Sequence, residues 1–370
     1  MKIAIVGGGI IGATIAYELT KLAHDRSPRS ALAVTLFDRQ APAQGATGAA
    51  LGLCMGIISR KTQGRAWELR HQSLQRYPQL LAELAQLGHP VPHNAQGLLK
   101  LEFEETDRPR WQRLIELRQQ QGYCLELWEP ATVRQRYALQ LPNLAFALAS
   151  PQDWQIQPRP LTHALLQVAQ GRGLTLRTLA PVQRIQPQAS GLLEVQTAIG
   201  SDTFDRVILT AGLHSPDLLP LDLRATAPPP LVLEPVLGQG ARLRLPDSLG
   251  SAVLPVFTAE DLHLVPLGGR DYWLGATLEF QADRDGIPSP QAWADLWGKA
   301  LGFWPELRGA EVVETWAGAR PRPVGRSAPV IEVWPGAAAI VVATGHYRNG
   351  VLLAPATAQR AIDLLALPQI

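Results

Sequence analysis

The first twelve residues impose the strongest constraint on how this chain folds. A short β-branched run at residues 2–6 leads directly into GGGIIG at residues 7–12, and apolar residues at helical spacing follow. This order predicts a strand, a tight turn and a helix. In the pattern G-x-G-x-x-G, Gly7 permits the turn, Gly9 lets a ligand approach the backbone, and Gly12 lets the helix pack closely on the strand.

A second apolar strand at residues 34–37 ends in Asp38 and completes a βαβ unit. In such units the helix N-terminus faces bound phosphate, and an acidic residue after the second strand accepts hydrogen bonds from ribose hydroxyls. Asp38 lies farther from Gly12 than the about 20 residues usual for this motif, because a polar insertion precedes the second strand. The unit predicts dinucleotide binding, with a purely structural glycine turn as the alternative.

Length and composition narrow the class of protein. The 370 residues exceed one ordinary domain, and 46% apolar against 18% charged residues is typical of a folded globule with a large core. The formal net charge is only +2, which provides no field to attract nucleic acid or an anionic membrane. Neither is expected as a partner.

Metal sites and disulfides are not expected either. The two cysteines, Cys54 and Cys124, are far apart and match no ligand spacing. His89 and His93 are separated by two prolines, which prevent the helix that would align their imidazoles. The chain also has no G-x-S-x-G hydrolase motif and no P-loop motif.

The sequence gives no signal for a membrane segment. Its longest apolar run, residues 46–58, is shorter than the about 20 residues needed to cross a bilayer. The apolar run at the N-terminus is too short for a secretory signal. We therefore expect a soluble cytoplasmic protein without a transmembrane segment, and the sequence leaves a homo-oligomer open.

Further apolar patterns predict the remaining elements. Helical spacing favours helices over residues 65–87 (interrupted before Pro78), 110–121, 161–170, 290–301 and 354–367. Strand patterns occupy residues 97–103, 174–176, 192–195, 206–212 and 338–345, and four pieces between 225 and 320: LVLEPVLG, ARLRL, LHLVPL and DYWLGATL. The four pieces predict an antiparallel sheet, whereas the apolar strand at 206–212 is typical of a parallel one.

The segment after Asp38 bears on which dinucleotide binds. Small residues dominate residues 39–52, so the backbone could pass close to a second part of a flat cofactor. A small-residue loop packed under a helix is the alternative.

Four segments resemble a known family: GGGIIGATIAYEL, FDRQAPAQGATGAALG, RVILTAG and, most specifically, ATGHYRNGVLLAPATA. They are similar to the glycine oxidase branch of the D-amino-acid-oxidase-like FAD oxidoreductases, in ordered patches over nearly the whole chain. The resemblance implies an α/β plus α+β fold, in which a glutathione-reductase-type FAD-binding, Rossmann-like domain is interleaved with an antiparallel-sheet substrate domain. It places the FAD-binding domain in residues 1–85, 148–225 and 318–370, and the substrate domain in 86–147 and 226–317.

The resemblance also implies a set of FAD contacts. Some relatives tether the flavin through a cysteine in the C-terminal half, but no cysteine follows Cys124 here, so FAD is expected to bind non-covalently. Matched residue by residue, the contacts fall on Gly7, Gly9, Ile10, Ile11, Gly12, Asp38, Arg39, Ala46, Thr47, Gly52, Leu53, Val182, His346, Tyr347, Asn349, Gly350, Val351 and Leu352.

Substrate binding is implied for two arginines. Arg348 lies in GHYRNG and Arg320 in AGARPRP, with Arg322 as a competing assignment two residues later. A guanidinium fork holds an α-carboxylate with two charge-assisted hydrogen bonds and leaves Cα facing the flavin. The alternative for either arginine is a surface ion pair.

Two further positions depart from the glycine oxidases. His263 takes the place of a tyrosine just before Val-Pro in a strand of the sheet that roofs the flavin, and Leu278 ends GATL where those enzymes have GATM. An imidazole changes pocket volume and hydrogen bonding and could titrate near neutral pH. A packing or surface role for His263 is the alternative.

The resemblance implies oxidative deamination of a small amino acid, such as glycine, sarcosine or a D-amino acid. A hydride passes from Cα to flavin N5, water converts the imine to a keto acid or glyoxylate with ammonia or an amine, and oxygen takes the electrons to give hydrogen peroxide. No side chain is expected to act as catalytic acid or base. The alternatives are a dehydrogenase that uses a quinone or carrier, a flavin-binding protein without turnover, and a nicotinamide dehydrogenase.

Overall fold

The computed structural model describes residues 1–26, 32–137, 139–220, 230–250, 253–280 and 286–367. Within these residues the helices are α1 (Ile10–Arg26), α2 (Gly64–Gln86), α3 (Arg108–Gln120), α4 (Pro130–Arg136), α5 (Pro158–Gly171), α6 (Ser215–Leu218), α7 (Pro290–Phe303) and α8 (Gly350–Leu364). The strands are β1 (Lys2–Val6), β2 (Ala33–Phe37), β3 (Leu53–Cys54), β4 (His93–Asn94), β5 (Leu98–Glu102), β6 (Glu126–Trp128), β7 (Phe146–Ser150), β8 (Trp154–Ile156), β9 (Thr175–Arg177), β10 (Val182–Pro187), β11 (Leu193–Thr197), β12 (Gly200–Phe204), β13 (Arg206–Leu209), β14 (Leu233–Arg244), β15 (Val256–Ala259), β16 (Leu262–Gly268), β17 (Asp271–Gly275), β18 (Glu311–Pro323), β19 (Val330–Trp334) and β20 (Ala337–Thr344).

A six-stranded sheet contains the predicted βαβ unit. Its order is β19-β20-β13-β1-β2-β9, and its neighbouring strands are parallel except for β19 with β20. Helices α1, α5 and α8 share one apolar cluster with this sheet, and the small sheet β10-β11-β12 packs into a second cluster with it. Because apolar side chains cover both faces, the strands have the unbroken apolar runs from which they were predicted.

An eight-stranded sheet has the order β18-β14-β17-β16-β15-β5-β7-β6. It is antiparallel, as predicted, except that β5 and β15 run parallel. The pieces LVLEPVLG and ARLRL, predicted as separate strands, contribute to a single strand, β14, since β18 pairs with it along its length. Helix α7 shares an apolar cluster with this sheet. Strand β18 itself gave no clear periodic signal, because its first five residues are exposed.

Two prolines lie inside helices. The predicted interruption before Pro78 is wrong, because α2 continues through it. In α8, Pro355 has no N–H, so the carbonyl oxygen of Val351 one turn earlier has no donor within the helix. The buried hydroxyl of Tyr77 in α2 donates to that oxygen instead, and Ser73 of α2 accepts the next free amide. These contacts fix α8 against α2.

The predicted domain boundaries meet the strands as follows. The boundary at 147/148 falls inside β7, and the boundary at 317/318 falls inside β18. The boundary at 225/226 lies outside the described residues, as do residues 27–31 of the polar insertion. The division of the chain into two domains stays a prediction.

Within the described ranges, no helix is long and apolar enough to cross a membrane. The same residues contain no cluster of three His, Cys, Asp or Glu side chains that could hold a metal ion.

Candidate active site

A cavity of about 750 Å³ is lined by residues of both large sheets. Most of the predicted cofactor and substrate positions contribute to its wall. The predicted positions that line it are Gly7, Gly9, Ile10, Ile11, Asp38, Arg39, Ala46, Thr47, Gly52, Leu53, Val182, His263, Leu278, Arg320, His346, Tyr347, Arg348, Gly350 and Val351. Three do not: Gly12 lies behind the glycine turn, Asn349 immediately precedes α8, and Leu352 packs in the apolar core.

Close backbone packing explains two glycines of the first turn. Gly7 has a φ of +115°, and a Cβ atom there would lie 2.5 Å from the carbonyl oxygen of Thr210. A Cβ atom on Gly12 would lie 1.9 Å from the carbonyl oxygen of Gly7. Gly12 therefore allows α1 to lie directly on the end of β1, which is the packing role that the motif predicts.

The first turn of α1 presents hydrogen-bond donors to the cavity. Amide groups at the start of a helix have no partners within the helix, and the aligned peptide dipoles make this end positive. The Ile10 N–H donates to the hydroxyl oxygen of Thr47 at 3.0 Å, so the hydroxyl hydrogen can turn toward a ligand. Gly9 and Ile11 line the cavity at the same turn. These groups suit a bound diphosphate.

Asp38 is half-buried at the end of β2. Its Oδ2 atom accepts the Gly8 N–H at 2.6 Å, and its Oδ1 atom accepts the Gln40 N–H at 2.8 Å. Burial raises the pKa of Asp38, and these two amides partly oppose that effect. A carboxylate has about four acceptor sites, so Asp38 retains sites for ribose hydroxyls.

A charged side chain beside Asp38 is positioned by a residue that the sequence did not suggest. The Nη1 atom of Arg39 lies 2.8 Å from Nε2 of His214, and both residues line the cavity. His214 ends the short 3-10 helix after β13, so it comes from a distant part of the chain. This contact holds the Arg39 guanidinium at the cavity wall, and its role in cofactor binding stays a prediction.

Two buried charges fix the loop that follows the cavity wall at Leu53. The carboxylate of Asp153 accepts the backbone N–H groups of residues 56–58 at 2.6–2.9 Å and the hydroxyl of Ser150 at 2.8 Å. On the other side, the solvent-inaccessible Arg118 donates to three carbonyl oxygens of this loop at 2.7–3.0 Å. Every one of these groups is buried or partly buried, so the loop has a defined shape.

The segment before α8 approaches the cavity from the C-terminal end. Tyr347 has a φ of +54°, and its N–H donates to the carbonyl oxygen of Pro321 at 3.1 Å. The Nε2 atom of His346 lies 2.9 Å from the hydroxyl of Thr357. Burial, together with the nearby Arg65, lowers the pKa of His346 to about 3, so this imidazole is neutral at physiological pH.

Arg320 projects from β18 into the cavity. Its Nη1 atom donates to the carbonyl oxygens of Leu237 and Thr277, both at 3.2 Å. A Cβ atom on Gly238 would lie 2.1 Å from Nη2 of Arg320, so the glycine leaves room for the guanidinium. Burial lowers the pKa of Arg320, which reflects a partly desolvated cation facing the cavity.

The competing assignment, Arg322, lies elsewhere. Its Nη1 atom is 3.5 Å from the carboxylate of Glu234, and its guanidinium lies over the ring of Phe280. Arg322 does not line the cavity. The geometry therefore favours Arg320 over Arg322 as the residue that meets a ligand.

Arg348 is at the cavity wall but is already paired. Its Nη2 atom donates to Oδ1 of Asp261 at 2.8 Å, and the two side chains are 37% and 62% exposed. Partial burial disfavours the charged form of Asp261, but the hydrogen bond and the positive charge of Arg348, together with smaller effects of His263 and Lys100, outweigh it and lower the pKa of Asp261. The ion pair named as the alternative to substrate binding is thus present, although both partners line the cavity.

His263 also lines the cavity, only 8% exposed. Its Nδ1 atom lies 3.1 Å from the hydroxyl of Thr258 on the neighbouring strand. Burial and the positive charge of Arg348 lower the pKa of His263 to about 3. The expectation that this imidazole titrates near neutral pH is therefore wrong, and it is a neutral polar group in the wall. Leu278 lines the wall as an apolar group.

A Rossmann-like sheet whose glycine turn opens onto a large cavity, under a second sheet that supplies charged side chains, is typical of a protein that binds a dinucleotide cofactor. Residues 2–364 match the family described as DAO, FAD dependent oxidoreductase. The chain therefore belongs to this family.

Individual relatives agree with that family. The chain is 30% identical over 373 residues to glycine oxidase from Geobacillus kaustophilus, a match that covers 98% of this chain and 92% of that protein. It is 31% identical over 366 residues to the bifunctional protein ThiO/ThiG from Synechocystis sp., covering 98% of this chain and 51% of that protein. The chain thus spans about half the length of the ThiO/ThiG relatives. The crystal structure of glycine oxidase from Bacillus cereus matches with a TM-score of 0.85 at 25% identity, covering 99% of this chain and 94% of that chain.

The predicted family, fold class and FAD cofactor are confirmed by these matches, and with them the prediction of an FAD-dependent oxidoreductase. The cavity fits FAD on its own geometry, because the donors at the first turn of α1 suit the diphosphate and Asp38 suits the adenosine ribose. The individual FAD contacts and the non-covalent mode of binding stay predictions.

Sequence reasoning missed three residues that shape the site. Asp261 lies two residues before His263, and alternation along a strand would have placed both on one face. His214 had no local signal, because its contact with Arg39 joins distant segments. Gly238 did not stand out among the many glycines of the sequence, and its role becomes clear only from the position of Arg320.

Proposed function

We propose that this protein is an FAD-dependent oxidase of a small primary or secondary amino acid, such as glycine, sarcosine or a D-amino acid. The observation that carries the proposal is the Arg320 guanidinium, which a dedicated glycine accommodates and which faces the cavity. A planar fork of donors at that position suits a carboxylate. Two of the matched proteins are named glycine oxidase, which supports the same substrate class.

The side chains of this chain would bind and orient the substrate. Bound FAD would supply the redox chemistry by accepting a hydride from Cα as the nitrogen loses a proton, and water would hydrolyse the resulting imine to a keto acid or glyoxylate with release of ammonia or an amine. Arg320 would hold the carboxylate and thereby limit the orientations of Cα. His263 would add a polar atom without adding charge, since its imidazole is neutral. Leu278 would restrict the space for a large substrate side chain.

The direct test is anaerobic bleaching of the FAD-loaded enzyme with glycine, sarcosine, D-alanine, D-proline and L-proline. At least one of them should reduce the flavin. Arg320→Met should raise the concentration needed for half-maximal bleaching at least about tenfold, because hydrogen bonds to a charged group contribute about 1.5–3 kcal/mol. Arg322→Met is the matched control, as it removes the same charge two residues along β18, outside the cavity.

Either of two results would contradict the proposal. If FAD-loaded enzyme is bleached by no amino acid, the alternative of a flavin-binding protein without turnover is favoured. If Arg320→Met and Arg322→Met have equal effects, Arg320 does not hold the carboxylate.

We propose oxygen as the electron acceptor, with hydrogen peroxide as the product. The oxidase names of the matched relatives support this choice. After anaerobic reduction, admission of air should restore the oxidised spectrum at least as fast as the enzyme turns over, with peroxide formed in equal amount. Slow recovery in air with fast recovery on a soluble quinone would indicate a dehydrogenase instead.

A further inference from the structure

Arg348 is paired with a carboxylate of the protein itself at the place where the substrate carboxylate is expected. The Nη2–Oδ1 distance to Asp261 is 2.8 Å, and both side chains line the cavity. In contrast, Arg320 donates to two backbone carbonyls, and no carboxylate within the described ranges forms an ion pair with it. Arg320 and Arg348 therefore differ in whether a carboxylate of the protein is already paired with them.

The fold fixes the location of this carboxylate. Strands β15 and β16 form a hairpin in which Ala259 pairs with Leu262, so Glu260 and Asp261 are its two connecting residues. Asp261 precedes His263 by two positions, and both point to the cavity. Glu260, with a φ of +49°, is exposed and does not line the cavity.

We propose that Asp261 is a specificity-determining residue that competes with the substrate carboxylate for Arg348. This inference rests on the proposed function. A substrate carboxylate that reaches Arg348 must displace Asp261 or share the guanidinium with it, and it meets the negative charge of Asp261 in either case. The residue therefore weakens the binding of simple monocarboxylates and favours substrates whose binding energy comes from additional contacts.

The size of the effect follows from the exposure of the pair. Exposed ion pairs contribute little to binding, and removal of a nearby like charge has a comparably small effect. Replacement of Asp261 by the neutral isostere asparagine is expected to tighten monocarboxylate binding about three- to tenfold.

The test uses acetate, a monocarboxylate that the enzyme cannot oxidise as an amino acid, and the FAD-loaded protein. Its dissociation constant is measured from the change in flavin absorption, without turnover. Asp261→Asn should bind acetate about three- to tenfold more tightly than the wild type. Glu260→Gln, which removes the adjacent charge from the same turn, should leave the constant unchanged. Arg348→Met should abolish the gain, so that Asp261→Asn/Arg348→Met binds acetate no better than Arg348→Met alone.

Three outcomes would overturn the inference. Unchanged or weaker acetate binding in Asp261→Asn would show that Asp261 does not compete. If acetate binding still tightened in the absence of Arg348, Asp261→Asn would act through the electrostatic potential of the cavity and not through Arg348. No acetate response in either wild type or Asp261→Asn would show that Arg348 offers no carboxylate site. The amino-acid panel decides the proposed function separately, because it asks only whether any amino acid reduces the flavin of the wild-type enzyme, whatever its affinity.

Kinetics with whichever amino acid bleaches the flavin give a second readout. A competing carboxylate affects binding, so Asp261→Asn should lower KM and leave kcat within about twofold. A fall in kcat with unchanged KM would instead indicate a role in the chemical step.

Discussion

The cavity has two functional regions, which are formed by different kinds of groups. The dinucleotide region around Gly7, Gly12 and Asp38 consists mainly of backbone groups of a single βαβ unit and the carboxylate at its end. The substrate region around Arg320 and His263 consists of side chains that separate strands of the eight-stranded sheet bring together. A methyl group added at Gly7 or Gly12 would meet backbone atoms, which cannot move independently. A methyl group added at Gly238 would meet the end of the flexible Arg320 side chain. The first region is therefore fixed by the fold, whereas the second can change with single substitutions.

The largest expected effect tests the rigid region. Gly12→Ala would place Cβ 1.9 Å from the carbonyl oxygen of Gly7, which cannot move without shifting β1 or α1. We expect destabilisation by more than about 3 kcal/mol and loss of FAD binding. Soluble yield, thermal unfolding and flavin content of the purified protein measure this.

A helix glycine outside both regions provides the control. A Cβ atom on Gly298 in α7 meets no atom within 4 Å, and alanine is the better helix former. Gly298→Ala should therefore be neutral or slightly stabilising. Wild-type stability in Gly12→Ala would refute the comparison between the two regions.

The second prediction tests the adjustable region. Gly238→Ala would place Cβ 2.1–2.4 Å from the guanidinium of Arg320, which can swing away. The protein should fold and bind FAD, but KM for the amino acid should rise about ten- to hundredfold, because the charge-assisted bonds to the carboxylate are lost. Flavin content and steady-state kinetics measure the two properties separately. Loss of FAD together with the rise in KM would show that the substrate region is as rigid as the glycine turn.

The third prediction concerns α8, whose start lies at the cavity. Tyr77→Phe leaves the carbonyl oxygen of Val351 without a donor, since Pro355 cannot supply one. We expect a loss of about 1–2 kcal/mol in the free energy of unfolding, measured by urea denaturation. In a Pro355→Ala background the new helical amide supplies the missing donor, so the cost of Tyr77→Phe should fall to below half. An equal cost in both backgrounds would contradict this account.

The smallest effect is a pH dependence at the contact of α1 with α2. Burial opposes ionisation of Glu83, but hydrogen bonds from Arg76, Lys21 and Tyr17 outweigh it and lower the pKa of Glu83 from 4.5 to about 2. Because the folded pKa is depressed, this contribution to stability is fully present above about pH 4.5 and disappears as the pH falls to about 2. Glu83→Gln should cost about 1 kcal/mol at pH 7, since the carboxylate is partly exposed, and nothing near pH 2.

Urea denaturation at pH 7, 4 and 3 measures the convergence of the two proteins. Glu68→Gln, which removes an exposed charge from the same helix, is the control and should show no such convergence. A cost for Glu83→Gln that does not change with pH would assign its role to packing.

Local patterns predicted the parallel sheet well, because its strands are apolar throughout and its turn requires glycines at fixed spacing. They predicted the eight-stranded sheet less well. The pieces that merge into β14 are interrupted by glycines that allow close approach of Arg320 and Trp316, and these partners come from β18. Pro78 was expected to interrupt the helix predicted over residues 65–87, but the packing of Tyr77 and its neighbours against α8 keeps α2 intact.

At the site, sequence by itself predicted the glycine turn and Asp38, because their spacing carries the chemistry, and the family resemblance pointed to the two arginines. Only the tertiary structure decided that His263 is neutral, that Arg348 is paired with Asp261, and that Arg320 rather than Arg322 meets the cavity. Charge state and ion pairing depend on burial and on neighbouring residues from other strands. The spacing of residues along the sequence does not show which residues become neighbours in the folded chain.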